Sequence, residues 1–365
     1  MKQDLALRLL SEIMGWDTEQ ARKEFEWLDL VSKLKYDHYR GFIAGARFLE
    51  SLADWLQQFK KEDRKAAYEF ISKKLIYIST AEINHLVRLT YPKYILKSIY
   101  KKIVQQEGRP LYQIQRSYLK NKYKRFLRET LFLGLSDGAQ IDVLRRCTSG
   151  IISNEQFFVA YQIHEDKWNT LLADLRKVTN DPQARFSSVY LIDDFVGSGK
   201  TFLRKEKDEW KGKLVKFWDS AKVIQSTHFQ QNWKLYVHHY LAFNNAIEAI
   251  NTTQDEFIKE HDNYTKADFS FSMVLPESIC IAPNCEFYNI IQKYYDSDIE
   301  NEHADIGGQG FKMGFSSCAL PLVLEHNTPN NSVALLWAES QLSSANHKMR
   351  PLFRRRERHT KELFA

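Results

Sequence analysis

The chain has 365 residues, 44% of them hydrophobic and 27% charged, with a formal net charge of +6. That balance excludes a disordered or fibrous chain, and no apolar run reaches the roughly 18 residues that a membrane span needs. Cys147, Cys280, Cys285 and Cys318 form no CxxC pair, so free thiols in a reducing cytoplasm are expected in place of a zinc site or disulfide framework.

Residues 1–128 read as helix after helix. The opening MKQDLALRLLSEIMGW sets acids inside an apolar pattern, which predicts an amphipathic helix and lacks the basic start of a signal peptide. In YDHYRGFIAGARFLESLADWLQQF, apolar residues from Tyr39 to Phe59 recur at three- and four-residue steps, predicting one helix with a broad buried face. Gly41 and Gly45 inside it predict close approach of a neighbour. Asp63 is a candidate N-cap for a helix over 64–78. Ser79 and Glu82 have the spacing of a capping box, Pro92 suits the first turn of the next helix, and EGRP at 107–110 ends it.

From Lys60 to Arg128 there are 18 Lys and Arg against five Asp and Glu. Two readings stand for this excess. It is either a polyanion-facing surface, such as one for nucleic acid, or a set of solvated helix faces.

After Arg128 the grammar changes. LFLGL (131–135), VYLI (189–192), LYVHHYLAF (235–243), FSFSMVL (269–275), CALPLVLEH (318–326) and VALLWA (333–338) are short apolar runs with loops and helical patterns between them. Continuous apolar strands alternating with helices predict a parallel sheet covered on both faces. The fold class expected is therefore α/β, with a basic helical domain over 1–128 and a parallel-sheet domain over 129–365. His238 and His239 fall inside an apolar strand and read as core or strand-edge residues.

The chemistry concentrates in VYLIDDFVGSGKT (189–201). Its end invites a P-loop reading, GxxxxGK[ST], but Asp194 stands where the first glycine belongs, and a side chain there would intrude on a phosphate. A carboxylate about 4 Å from a phosphate charge also costs on the order of 4 kcal/mol at an effective dielectric of 20. The acids make sense when they belong to the site. A strand delivers Asp193 and Asp194 at its carboxyl end, Gly197 and Gly199 allow a tight loop with inward amides, and Thr201 is expected to open a helix. A ligand with a phosphate at one end and vicinal hydroxyls beside it fits, as in a ribose 5-phosphate.

This stretch resembles the 5-phosphoribosyl 1-pyrophosphate (PRPP) motif of the phosphoribosyltransferases. The resemblance implies that Asp193 and Asp194 hold the ribose hydroxyls. It likewise implies that Val196, Gly197, Ser198, Gly199, Lys200 and Thr201 form the 5-phosphate loop, and that Mg²⁺ bridges pyrophosphate and ribose oxygens. An earlier loop should hold the pyrophosphate; Ser136, Asp137 and Gly138 are its candidates, with Arg145 and Arg146 on the helix that follows. The segments LKYDHYRGFIAGARFLESLADWLQQF, GLSDGAQID and HNTPNNSVALLW resemble the phosphoribosyltransferase-like effectors of prokaryotic conflict systems, associated with antiphage and retron loci. That resemblance implies a toxic enzyme controlled by a nucleic acid, retron component or regulatory protein. His326, Asn327, Asn330 and Asn331, between two apolar runs, either read a base or acceptor or are ordinary turn residues. A PRPP-sensing module without chemistry and a degenerate P-loop protein are the alternatives.

Overall fold

The computed structural model describes residues 3–42, 45–108, 110–113, 117–160, 163–340 and 348–355. Nine strands are described: β1 (Ile76–Ile78), β2 (Thr130–Gly134), β3 (Phe157–Phe158), β4 (Phe186–Val196), β5 (Arg204–Glu206), β6 (Glu209–Lys211), β7 (Phe229–Phe243), β8 (Ala267–Leu275) and β9 (Leu322–Leu324). Five of them form one sheet in the order β3-β2-β4-β7-β8, parallel throughout. The α/β class with a parallel sheet and a helical N-terminal region is as expected.

Contacts divide the chain into two units, Ile83–Pro276 and a second made of Met1–Glu82 with Glu277–Ala365. The change of sequence pattern near residue 129 marks where the strands of the five-stranded sheet begin, and the contacts divide elsewhere. Sequence patterns report local periodicity, whereas a unit is defined by what packs on what.

In the unit Ile83–Pro276 the sheet is buried on both faces, which is why its strands are continuous apolar runs. On one face Leu131, Leu133, Val189, Leu191, Leu235 and Val237 pack against Trp168, Phe217, Trp218 and Phe257. These come from the helices Glu165–Thr179, Lys213–His228 and Asn244–Glu260. The other face carries a ladder of rings, with Phe132–Tyr190 at 5.6 Å and Tyr190–Tyr236 at 4.7 Å. A helical run over residues 83–107 covers it. Tyr94 packs on His238 at 4.5 Å and donates its hydroxyl to the Phe271 carbonyl at 2.6 Å, and Ser98 hydrogen-bonds the Tyr190 hydroxyl.

That run corrects one expectation. Pro92 does not start a helix; it sits within a π-helical turn, Thr90–Ile95, between the helices Thr80–Leu89 and Leu96–Glu107. The wider turn absorbs a residue that has no amide to donate. Gly108, in the left-handed region at φ 62°, ends the run where EGRP was expected to. Ser79 and Glu82 form the expected reciprocal box: the Ser79 amide donates to Glu82 Oε2 at 2.8 Å, and the Glu82 amide to Ser79 Oγ at 3.4 Å.

In the other unit the N-terminal helices share a core with the C-terminal segment. Phe70 stacks on Phe287 at 3.9 Å, Trp55 donates its indole N–H to the Leu335 carbonyl at 2.7 Å, and β1 pairs in parallel with β9. Four expectations change here. The helix expected over 39–59 spans only Phe48–Gln57, preceded by a loop in which Gly45 has φ +88°; Ile43 lies outside the described residues. The helix near Asp63 is Lys61–Lys73, capped at Lys60, and Asp63 instead pairs with Lys293 and accepts from the Tyr294 hydroxyl. The run 318–326 contributes only β9, and it pairs outside the five-stranded sheet. The run 333–338 is not a strand; Ala334–Leu336 form a 3-10 turn that is fully buried, and full burial on all sides gives the same apolar pattern as a central strand. No helix among the described residues is long and apolar enough to cross a membrane.

Candidate functional site

The direction of winding reverses between β2 and β4. The segment after β2 lies on the ring-ladder face, where Tyr240 donates its hydroxyl to the Ala139 carbonyl at 2.7 Å. The helices after β4 and β7 lie on the opposite face. Open parallel sheets bind ligands at such a switch point, beyond the carboxyl ends of the strands. β2 stops with Gly134 opposite Ile192, so Asp193 and Asp194 are the first residues of β4 to extend past it.

Successive strand residues point to opposite faces, and the two acids do so. Asp193 is 4% exposed. Its Oδ1 accepts from the Ser136 hydroxyl, and its Oδ2 accepts from Lys213 Nζ at 2.6 Å. Burial pushes its carboxyl up to about 6; the charge of Asp194 adds to this, and Lys213 and Ser136 oppose it. Asp194 is half-buried, and its Oδ1 accepts from the Phe195 amide at 2.8 Å.

The loop from Val196 to Thr201 follows directly. Gly199 has φ +77°, and a methyl group there would sit 3.2 Å from Ile250 Cγ2. The amides of Phe202 and Leu203 both donate to the Gly199 carbonyl at 2.9 Å, closing the turn from behind. The Lys200 amide donates to Ser198 Oγ at 3.4 Å.

Thr201 does not open a helix. It is exposed, and the chain next makes the antiparallel hairpin β5–β6 before the helix Lys213–His228 begins. The hairpin returns to its origin: the Lys213 and Leu214 amides donate to the carbonyls of Thr201 (3.4 Å) and Phe202 (3.1 Å). Gly212 makes the return possible, since a Cβ there would lie 2.2 Å from the Phe202 oxygen. The helix end expected at the loop is thus present, but it is reached through an insertion. A P-loop needs its helix to start at the GK[ST] itself, so this geometry removes that alternative.

The first candidate loop meets the acid that precedes the second. Ser136 accepts from the Gly138 amide at 3.2 Å while donating to Asp193, which ties the loop after β2 to the acid on β4. Asp137 belongs to the 3-10 turn Asp137–Ala139. Arg145 and Arg146 are exposed on the helix Ile141–Cys147, and Arg146 is held by Asp142 one turn earlier, as on any solvated helix face. His326, Asn327, Asn330 and Asn331 belong to the other unit. There Asn331 is buried and donates to the Phe315 carbonyl at 3.1 Å, the Asn330 carbonyl accepts from the Phe315 amide, and Asn327 closes a turn on Leu324. His326 is half-buried. For Asn327, Asn330 and Asn331 these bonds are those of turn residues.

Lys213 was not singled out in the sequence, and His239 was read there only as a core or strand-edge residue. Lys213 lies 12 residues beyond the loop and only the returning hairpin brings it back. His239 is register-paired with Asp193 on β7, 1% exposed, with its ring between Phe202 and Phe271. Burial lowers both histidines to about 3. His238 faces the ring ladder, 2.8 Å from Ser270 Oγ and 3.0 Å from Ser272 Oγ, and is a satisfied core residue.

No group of three or more His, Cys, Asp or Glu that could hold a metal occurs among the described residues. Two surface cavities, of about 460 and 400 Å³, are lined by residues within 208–264 and 124–179, and neither includes the acids.

A parallel α/β sheet with an acid pair and a glycine loop at its switch point is the layout of a phosphoribosyltransferase-like domain. The chain belongs to the PRTase-CE family, whose model matches residues 52–355. That family is phosphoribosyltransferase-like, which implies transferase-type chemistry on a ribose-phosphate substrate. No curated protein and no solved structure matches the chain.

Proposed function

We propose that the chain binds PRPP, or a related ribose-phosphate nucleotide, at the carboxyl ends of β2 and β4 and cleaves its anomeric bond by transfer or hydrolysis. The observation that carries this reading is Asp193 held at the switch point by Ser136 of the loop after β2 and by Lys213, directly before the glycine loop. The 5-phosphate would rest in the loop Val196–Thr201, with the ribose hydroxyls donating to Asp193 and Asp194. Positive charge develops on the sugar ring as the leaving group departs. Fixed carboxylates beside the ring stabilise it without reorganising.

The donors fit Mg²⁺. Asp193 and Asp194 point to opposite faces of β4, and the Asp193 oxygens are held by Ser136 and Lys213. A single carboxylate would therefore meet the ion, which suits one that keeps its waters and binds through one or two carboxylates plus substrate phosphates. Asp194 would hold it together with the substrate's own oxygens, and it would neutralise the leaving pyrophosphate.

The biological role proposed is that of a toxic effector in antiphage defence, held inactive by a partner such as a retron component or nucleic acid. It is supported by the resemblance of the helical opening and of the GLSDGAQID and HNTPNN segments to conflict-system effectors. A sensing role without chemistry is the second reading, favoured by the lack of Lys or Arg in the Ser136–Gly138 loop and by the exposure of Arg145 and Arg146 on the helix after it. Incubating the purified chain with PRPP, NAD⁺ or ATP plus Mg²⁺ and identifying products tests both. Turnover of PRPP supports the enzyme, binding without turnover supports the sensor, and neither refutes the ribose-phosphate reading.

A further inference from the structure

The Ser136–Gly138 loop contains no Lys or Arg, and the arginines after it face solvent. A pyrophosphate placed there would meet hydroxyl and amide donors but no cation of that loop. The cation beside the acids comes from elsewhere. Lys213 opens the helix after the hairpin, with its ammonium 2.6 Å from Asp193 and its side chain 27% exposed. An ammonium has three donors, and the contact with Asp193 uses one.

A second, independent feature marks the same spot. His239 Nδ1 is buried with no hydrogen-bond partner, and its ring senses the charges of Lys213 and Asp194. His239 is register-paired with Asp193, the residue that holds Lys213, so its unpartnered ring nitrogen offers a second seat for that ammonium, leaving a donor free to face an incoming anion. The backbone around Lys213 is fixed by the Gly212 return and the amide bonds to Thr201 and Phe202.

We propose that Lys213 is a phosphate-binding residue of this site, supplying the cation that the Ser136–Gly138 loop lacks, and that His239 is the residue that positions it. The inference rests on the ribose-phosphate reading and deepens it: the preferred ligand carries a second anionic group beside the ribose, a diphosphate at the anomeric carbon, and not the 5-phosphate alone.

The test is calorimetric titration of the full chain with PRPP and with ribose 5-phosphate, in Mg²⁺ buffer. For Lys213→Gln, removal of one charge-assisted phosphate bond should weaken PRPP by about 30-fold and ribose 5-phosphate by less than about threefold. Lys213→Arg should recover most of the PRPP affinity. His239→Phe, which keeps a ring but removes Nδ1, should lower the preference for PRPP over ribose 5-phosphate at an unchanged unfolding midpoint. Equal weakening for both ligands, or none for either, would overturn the role of Lys213 while leaving the ribose-phosphate site standing. Wild-type protein that binds neither ligand would overturn both.

Discussion

Replacing Asp193 by Asn should make the protein more stable and less able to bind. Burial lifts the Asp193 carboxyl from its ordinary 3.8 to about 6. At 1.36 kcal/mol per pH unit, the charged form therefore costs about 3 kcal/mol more in the fold than in the open chain. The folded state holds this proton more tightly, so between pH 3.8 and 6 it binds more protons than the unfolded state. Stability from this group then falls as pH rises through that window and is level above it. That figure already includes the opposing bonds from Lys213 and Ser136; Asn removes the charge and keeps the shape, so the net gain at pH 8 should be about 1–3 kcal/mol. For a unit of this size that is an upward shift in Tm of about 3–10 °C. Thermal and urea unfolding of both proteins at pH 4 and pH 8 provide the assay, with a gap that opens at pH 8 and closes at pH 4. Destabilisation of the Asn variant by more than about 1 kcal/mol at pH 8 would refute the reasoning, because the ion pair with Lys213 would then outweigh burial.

The stabilisation of wild type by PRPP should exceed that by ATP and should vanish in the Asp193→Asn, Asp194→Asn double variant, as a thermal-shift titration would record. On the proposed effector role, expression of the chain alone should arrest growth and Asp194→Asn should relieve that arrest at unchanged expression; arrest that persists would place the harmful activity away from the acids. Gly199→Ala should lower stability by about 1–2 kcal/mol, since φ +77° disfavours any side chain and the methyl meets Ile250; an unchanged unfolding midpoint would contradict the loop geometry. On duplex DNA, charge reversal at Lys120 and Lys124 should flatten the logarithmic salt slope by roughly 0.9 for each phosphate that is no longer neutralised. Reversal at Lys122 and Arg125 should do less, because Glu107, Glu129 and Asp181 already hold them.

The sheet was legible because strands buried on both faces are written as unbroken apolar runs, as in β2, β4 and the second half of β7. The acid pair and the glycine loop were legible because their order along one strand and turn is local. What the pattern hid is non-local. Lys213 reaches Asp193 only through the hairpin, and His239 reaches it only through β-register. The run 333–338 misled because burial on all sides erases the difference between a strand and a compact turn. The helix expected over 39–59 misled for another reason: apolar periodicity continued through Gly41 and Gly45, where the backbone leaves helical conformation.

The hairpin β5–β6 starts and ends at nearly the same point, with Gly212 folded against Phe202. Its tip, Lys207–Asp208, is exposed and already adopts left-handed backbone at φ 49° and 66°. Extra residues inserted there would change neither end, and each doubling of the loop would add only about 0.6 kcal/mol of closure entropy. The tip is therefore a natural mounting point for a dye or short epitope tag. A reporter at this position would be joined through two short strands to Thr201 on one side and Lys213 on the other, and would register occupancy of the crevice without touching a residue that lines it.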